Sequence, residues 1–392
     1  MDAVISMIIL AAGLSTRMGA FKPMLPVGGV PAVLRCIGLA ERAGIGDVVV
    51  VTGHNREELE SAVGAAAPWA RLAHNGMYRE GMFSSVRAGV AALPRDLDGF
   101  FLLPADCCAV SPETLAALAA RFTYDGGYSV IRPTHSGRRG HPPLIPARHI
   151  GPLLSYAGEN GLKGFLFPLP TVGVETEDRG AFLDMDTAED YARLLEHLGL
   201  PGYPNAAQRD ELLSRYEVSQ DIISHGEHVA SVALELVRDV ERGAGSIAAG
   251  HGESGDVESR GHAIDTDLLV SACLLHDISK GKKCGGVPVD HARAGMELLL
   301  REGYPRAATL VGSHMDLPEG VAGAISAVGE TELLYLADKL CRRGSVVALE
   351  ATMREISSKH PPGSEARARA ESRILDAMRI YDIIYPAGNL GC

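Results

Sequence analysis

The spacing of hydrophobic and polar positions along this 392-residue chain changes once, near residue 200. Before that point, short unbroken apolar runs alternate with amphipathic stretches. VISMIIL (4–10), DVVVVTG (47–53), GFFLLPAD (99–106) and YSVIRP (128–133) are rich in Val, Ile and Phe and read as buried strands. PAVLRCIGLAERAG, REELESAVGAAA and SPETLAALAARF, between them, have helical spacing. Such alternation predicts a mostly parallel α/β sheet covered on both faces, with ligands at the carboxyl ends of its strands. LGLPGYPNAAQRDE (198–211) then reads as a linker, with two prolines and two glycines. Beyond it the strand signal nearly vanishes. Segments such as EHVASVALELVRDV and TDLLVSACLLHDISK are helical in period, so the second part is expected to be all-α. The division predicted is 1–198 and 199–392, with a Gly/Ser-rich mobile loop at about 242–262.

Charge narrows the partners. With 37 Lys and Arg against 49 Asp and Glu, the net charge of −12 speaks against a broad nucleic-acid footprint. An anionic substrate must then be held by local basic residues or by metal. The seven cysteines are odd in number and contain no CxxC pair, so reduced thiols in a cytoplasm are expected. The start, MDAVISMIIL, lacks the basic character of a secretory leader, and no apolar run is long enough to span a bilayer, so no membrane partner is expected.

Candidate chemistry begins directly after the first apolar run, in LAAGLSTRMGAFKPMLP (10–26). A turn of small residues after a strand lets backbone amides approach a phosphate closely. Leu10, Ala11, Ala12 and Gly13 suit this, and Gly19 can adopt a backbone barred to other residues. Arg17 offers a planar fork and Lys22 a compact charge. The same residues would also serve a tight strand–helix connection with two solvated cations. Asp106 ends the run FFLLPAD, where it could hold a metal or cap the helix of SPETL. Asp184 and Asp186 in FLDMDT have period-two spacing and share a side if the chain is extended there.

The whole string resembles the signature loop of the MobA-like nucleotidyltransferases, and within them the molybdenum cofactor cytidylyltransferase branch. VVVVTGH, HNGMYREGMFSSVRAGV, FLLPAD, GRRGHPPLIP and FLDMDTAEDY follow in that family's order. The resemblance implies a Rossmann-like domain that uses Mg²⁺ and CTP, with the molybdopterin cofactor as acceptor and a molybdenum hydroxylase apoenzyme as a further partner. It implies Arg17 and Lys22 on the triphosphate and Asp106 with Asp186 on the metal, Asp184 being the alternative. It also places Arg139, Gly140 and His141, and by position Ser84 and Ser85, near the acceptor; the bland readings are a basic loop and a helix cap. ADCCAV departs from the family's ADxP, leaving Cys107 and Cys108 either buried or against a pterin. LAAG and Phe21-Lys22 differ from the LAGG and Asp-Lys of guanylyl-transferring relatives and point to a cytidylyl donor.

HDISK (276–280) ends an apolar helix, and an aspartate so placed must be paired or bind metal. The order of His225, then His276-Asp277, then Asp338 on separate helices resembles the HD phosphohydrolase superfamily over about 205–345. That resemblance implies these four as ligands of a divalent metal, His225 being preferred to His228. Asp277 would be the central catalytic ligand, and Lys280, His291 and His314 would hold a second metal or contact phosphate. Two-metal relatives often carry a His-His pair where this chain has SHMD, so one metal and two both stay open. The expected whole is a nucleotidyltransferase joined to a metal-dependent phosphohydrolase. Its rivals are another small phosphate or sugar acceptor, and an HD part that senses nucleotide without turnover. The segment from about Glu350 is expected to pack as a final helix without chemistry.

Overall fold

The computed structural model describes residues 3–248, 263–281, 283–284, 287–288, 290–318, 328–342 and 344–386. It separates into two compact units, Met1–Pro201 with Arg301–Gly303, and Gly202–Leu300 with Tyr304–Cys392.

The strands of the first unit are β1 (Ile5–Leu10), β2 (Pro26–Val27), β3 (Val30–Pro31), β4 (Asp47–Thr52), β5 (Arg71–His74), β6 (Gly99–Pro104), β7 (Val130–His135), β8 (Arg138–Arg139), β9 (Leu144–Pro146) and β10 (Thr171–Glu175). Its helices are α1 (Ala32–Arg42), α2 (Arg56–Ala66), α3 (Met82–Ala91), α4 (Pro112–Tyr124), α5 (Ile150–Ser155), α6 (Gly161–Leu166) and α7 (Ala188–His197). One mixed sheet runs β10-β7-β9-β6-β1-β4-β5, with β8 on the flank of β7. β6, β1, β4 and β5 are parallel, as are β7 and β10, and β9 is antiparallel to both its neighbours. Met7, Ile8 and Ile9 of β1 and Val49, Val50 and Val51 of β4 are fully buried, which is why these central strands read as unbroken apolar runs. The register Leu10–Val51 and Leu10–Pro104 brings the turns after β1, β4 and β6 to one edge of the sheet.

The loop after β1 does not open into an α-helix. It passes through a single 3₁₀ turn, Lys22–Met24, and the β2–β3 ladder before α1 begins. Pro23 and Pro26 deny the segment the backbone donors that a helix interior needs.

The second unit is helical: α8 (Ala206–Arg215), α9 (Gln220–Ala248), α10 (Thr266–Leu275), α11 (His291–Arg301), α12 (Pro305–Ser313), α13 (Glu330–Leu340), α14 (Leu349–Lys359) and α15 (Glu365–Ile384). Two two-residue ladders, β11 (Lys283–Cys284) with β12 (Val287–Pro288) and β13 (Cys341–Arg342) with β14 (Ser345–Val346), are added to it. α10 and α13 form its centre, with Leu269, Ala272 and Cys273 facing a core that includes Leu333, Leu334 and Leu336. The first residues of the loop expected from about 242 are helical instead, because α9 continues to Ala248; extending a helix already formed costs far less than starting one. The remainder of that expected loop, 249–262, lies outside the described residues. The final segment forms two helices, α14 and α15, rather than one. Among the described residues no helix is long and apolar enough to cross a membrane.

Candidate functional site

In the first unit the turns at the strand ends meet as a cluster of charge. Lys22 is 9% exposed, and its Nζ lies 2.5 Å from Asp186 Oδ1 and 3.2 Å from Asp106 Oδ2. Arg17 Nη1 reaches Asp186 Oδ2 at 2.7 Å. Ser15 holds the loop in place by accepting the Lys22 amide at 3.1 Å. Asp106 is not a helix cap: Ser111 caps α4, accepting from the Thr114 amide. The Asp106 carboxylate instead faces Lys22, carried there by Ala105, whose amide donates to Leu10 O. Asp106 and Asp186 are two hard oxygen donors at one sheet edge, partly buried and balanced by two cations, a set that suits Mg²⁺.

FLDMDT is not extended sheet. A 3₁₀ turn, Arg179–Phe182, precedes it, and Thr187 begins α7 with a reciprocal cap to Asp190. The two aspartates differ in their partners. Asp184 makes no ion pair among the described residues, and its carboxyl is raised by partial burial and by the neighbouring Asp186 and Asp106 charges. Of the expected nucleotide-loop residues, Leu10 ends β1, the Ala11 amide donates to Val51 O, and Ala12 O accepts from His54. Gly13 is exposed, and the amides from Gly13 to Arg17 make no hydrogen bond among the described residues. Gly19 has φ +71°, the left-handed backbone expected of it.

The Gly140–His141 segment is fixed by two backbone bonds, Gly140 N to Pro133 O at 2.9 Å and His141 N to Ala181 O at 2.8 Å. A Cβ on Gly140 would stand 2.5 Å from Ala181 O, so no other residue allows this approach. Arg139 is exposed on β8. Ser84 and Ser85 lie within α3, whose cap is Gly81. Their hydroxyls bond Asn75, Met77 and Gly81, not the charged cluster. Asn75, buried and tied through its amide to Thr52 O, is a structural link that the pattern analysis did not single out. Cys107 and Cys108 are buried, and burial pushes the Cys108 thiol up to about 12.

The second unit gathers four histidines and two aspartates from five helices or helix ends. His276 and Asp277 follow α10, His314 follows α12, His291 opens α11, His225 lies on α9 and Asp338 on α13. α9 can approach because Gly226, beside His225, faces the α10 backbone; a Cβ there would stand 3.1 Å from Cys273 O. His225 Nε2 is 3.3 Å from Asp338 Oδ1, whereas the buried His228 Nε2 has no hydrogen-bond partner among the described residues. His276 Nε2 is 3.5 Å from both Asp277 Oδ2 and Asp338 Oδ1, and it too is buried without a hydrogen bond. Its Nδ1 donates to Cys273 O at 2.8 Å, and His314 Nδ1 donates to Val311 O at 2.6 Å. These carbonyls fix the tautomers so that, when neutral, both rings turn a lone pair inward.

His291 Nε2 is 3.4 Å from Asp277 Oδ1 and 3.1 Å from His314 Nε2. Lys280 pairs with Asp277 from outside. Two ligand groups thus exist, His225–His276–Asp338 and His276–Asp277–His314, and their imidazole and carboxylate donors suit borderline divalent cations. Beside them a cavity of about 1070 Å³ is lined by His225, Asp338, Lys339, Thr352, Lys359 and Arg373, among others. The last three come from α14 and α15, the segment expected to carry no chemistry.

The fold and these two clusters define a nucleotidyltransferase-type α/β domain followed by a helical domain of the HD metal type. Residues 7–172 match the MobA-like NTP transferase domain, and residues 222–343 match the HD domain. The chain carries both domains and is an enzyme. The molybdenum cofactor cytidylyltransferase of Escherichia coli is 28% identical over 193 residues, 48% of this chain and 94% of that protein. The bifunctional protein GlmU of Leifsonia xyli is 31% identical over 33% of this chain, which spans 27% of GlmU. Rv0371c of Mycobacterium tuberculosis, a solved structure, is 26% identical with a TM-score of 0.41, covering 50% of this chain and all of that one.

Proposed function

We propose that the first domain transfers a cytidylyl group from CTP to the terminal phosphate of the molybdopterin cofactor, releasing pyrophosphate. The observation that carries this reading is the convergence of Arg17, Lys22, Asp106 and Asp186 at the edge where the β1 and β6 turns meet. Asp106 and Asp186 would hold Mg²⁺, which neutralises triphosphate charge when bound. Arg17 and Lys22 stabilise the charge developing on the departing pyrophosphate, and the unpaired amides of the Gly13–Arg17 turn receive phosphate oxygens. His141, Arg139 and Gly140 form the acceptor side. Ser84 and Ser85 shape it from α3. The product would pass to a molybdenum hydroxylase apoenzyme in the cytoplasm. Competition among CTP, GTP and ATP with Mg²⁺ present, followed by mass analysis of products on molybdopterin, tests the reading. GTP binding equal to or tighter than CTP binding overturns the cytidylyl assignment.

The second domain, from about residue 199, is a phosphohydrolase on one or two divalent metals. His225, His276, Asp277 and Asp338 hold the first. His291 and His314 complete a second around Asp277, and Lys280 stands ready for a substrate phosphate. Metal here would supply activated water, while the ordered Nδ1 bonds keep the rings aimed.

A second reading changes the acceptor to a sugar or polyol phosphate and makes the HD domain a nucleotide sensor. The similarity to GlmU and to the bifunctional IspD/IspF of Clavibacter michiganensis, 35% identical over 32% of each chain, favours testing it. Nucleotide bound but never turned over by metal-loaded protein would select the sensor.

A further inference from the structure

Asp338 and Lys339 are neighbours on α13, and adjacent side chains on a helix do not normally face each other. Here they do: Lys339 Nζ donates to Asp338 Oδ2 at 2.8 Å. A second acceptor draws it there, since the same ammonium donates to His314 O, 25 residues back along the chain, at 2.9 Å. Tyr335, one turn earlier on α13, sets its ring against the ammonium, 4.7 Å from Nζ to the ring centre. That ring is itself fixed. Tyr335 is fully buried, and its hydroxyl donates to Arg373 O on α15 at 2.9 Å. The Arg373 guanidinium in turn pairs with both oxygens of Asp316, two residues beyond His314, at 2.7 and 2.6 Å. The Lys339 side chain is only 11% exposed, so a carboxylate, a carbonyl and an aromatic face hold its charge in place of water.

The two oxygens of Asp338 are thereby divided. Oδ1 faces His225 Nε2 at 3.3 Å and His276 Nε2 at 3.5 Å, while Oδ2 is taken by Lys339. The carbonyl contact reaches the other ligand group, because His314 belongs to His276–Asp277–His314. A cation that merely balanced the Asp338 charge until a metal arrived would need the carboxylate alone. It would not need a carbonyl and a ring to hold it there. We infer that Lys339 is a positioning residue of the metal centre: it turns Asp338 so that Oδ1 is the oxygen offered, and it ties the backbone of His314 to the same point, setting both ligand groups as one unit. This rests on the divalent-metal reading of the second domain given above and adds the residue that couples its two groups. The effect has a definite sign. Repulsion between Lys339 and a divalent ion opposes binding, whereas orientation of a ligand favours it. Partners that orient metal ligands are typically worth 10- to 100-fold in affinity, and the Lys339 charge is already met by Oδ2, so orientation prevails.

The test uses the full chain carrying Asp106→Asn, which removes the carboxylate proposed for Mg²⁺ in the first domain. The protein is stripped with chelator and titrated calorimetrically with Mn²⁺. Lys339→Met keeps the aliphatic stem against Tyr335 and removes the charge and the donors. It should weaken Mn²⁺ binding by the second domain roughly 10- to 100-fold. The loss should extend to both ligand groups, whereas His291→Ala acts on the second alone. Lys339→Gln, uncharged but still a donor, should weaken binding less, and it gives the sign should the Met variant fail to fold by circular dichroism. Tighter Mn²⁺ binding by either folded variant overturns the inference, because Lys339 would then be a stand-in for the metal's charge. Unchanged Mn²⁺ binding overturns it too, and a raised KM for p-nitrophenyl phosphate in that case would place Lys339 on the substrate. If the protein with Lys339 intact binds no divalent ion, the metal reading itself fails and the inference with it.

Discussion

The Nε2 atoms of His291 and His314 lie 3.1 Å apart. His314 spends its Nδ1 proton on Val311 O, so its neutral ring turns a lone pair toward His291. His291 must then donate across the gap when no cation is bound. Asp277 Oδ1, 3.4 Å from His291, completes a set of donors closing on one point. Metal analysis of the purified protein should therefore find two divalent ions per chain. His291→Ala should reduce this to one and slow hydrolysis of p-nitrophenyl phosphate ~100-fold or more. A single ion in both proteins would remove the two-metal site.

Asp106→Asn should abolish pyrophosphate release from CTP, a loss of roughly a thousandfold or more if several kcal/mol of charge stabilisation disappear. The fold should survive, because Ser111 and not Asp106 caps α4. Near-normal transfer by a well-folded variant would reduce Asp106 to a partner of Lys22.

Metal-free protein should be most stable near pH 6.5, for three reasons of definite sign. His276 is opposed by burial, but the Asp277 and Asp338 carboxylates prevail and raise it from 6.5 to about 9. Its contribution is full below the unfolded value and is lost as pH rises through about 9. His314 runs the other way: burial and then the His276 charge lower it to about 3, so its contribution is lost as pH falls from 6.5 toward 3. Asp277 and Asp338 are held below the ordinary carboxylate value of 3.8 despite burial, Asp277 by His276 and Lys280, Asp338 by Lys339 and the two histidines. They add to the acid loss. Thermal melts in chelator from pH 4 to pH 9 would show the dome, and added metal should flatten its alkaline side by displacing the His276 proton. A melting temperature that rises steadily to pH 9 would contradict the assignment.

Asp277→Asn should remove phosphate-ester hydrolysis and weaken metal binding while cytidylyl transfer stays within a few-fold of wild type. The two ligand sets share no residue. Both activities and a thermal melt belong in the same experiment, since losing a metal can unfold a helical domain. A folded variant that loses both activities would mean one coupled site.

What could be read from the chain depended on whether a single residue type or a long-range neighbour set the outcome. β1, β4 and β6 were plain because burial on both faces leaves an unbroken apolar run. β5, Arg71–His74, was not, because its residues are largely exposed and it is defined by pairing with β4. β9 is three residues long and gains its identity from β6 and β7, 43 and 13 residues upstream at the Phe101–Leu144 and Ile131–Leu144 pairs. Spacing could not separate Asp184 from Asp186; among the described residues only Asp186 of the two pairs with Arg17 and Lys22. Arg132 carries no motif. The burial of its Nε, without a hydrogen bond among the described residues, is visible only once β7, β8 and the Gly140 turn are assembled.

Asp178 has a consequence for anyone wishing to alter what this domain accepts. Its carboxylate accepts from the Ser111 amide at 2.8 Å, the Thr114 hydroxyl at 2.7 Å and the Gly180 amide at 3.0 Å, while Ala181 O accepts from His141. The start of α4, the Gly140–His141 turn and the segment leading to Asp186 are stitched into one piece. A loop grafted alone from a related enzyme would drag the Asp186 carboxylate with it. Retargeting calls for exchanging all three segments together, as a cassette.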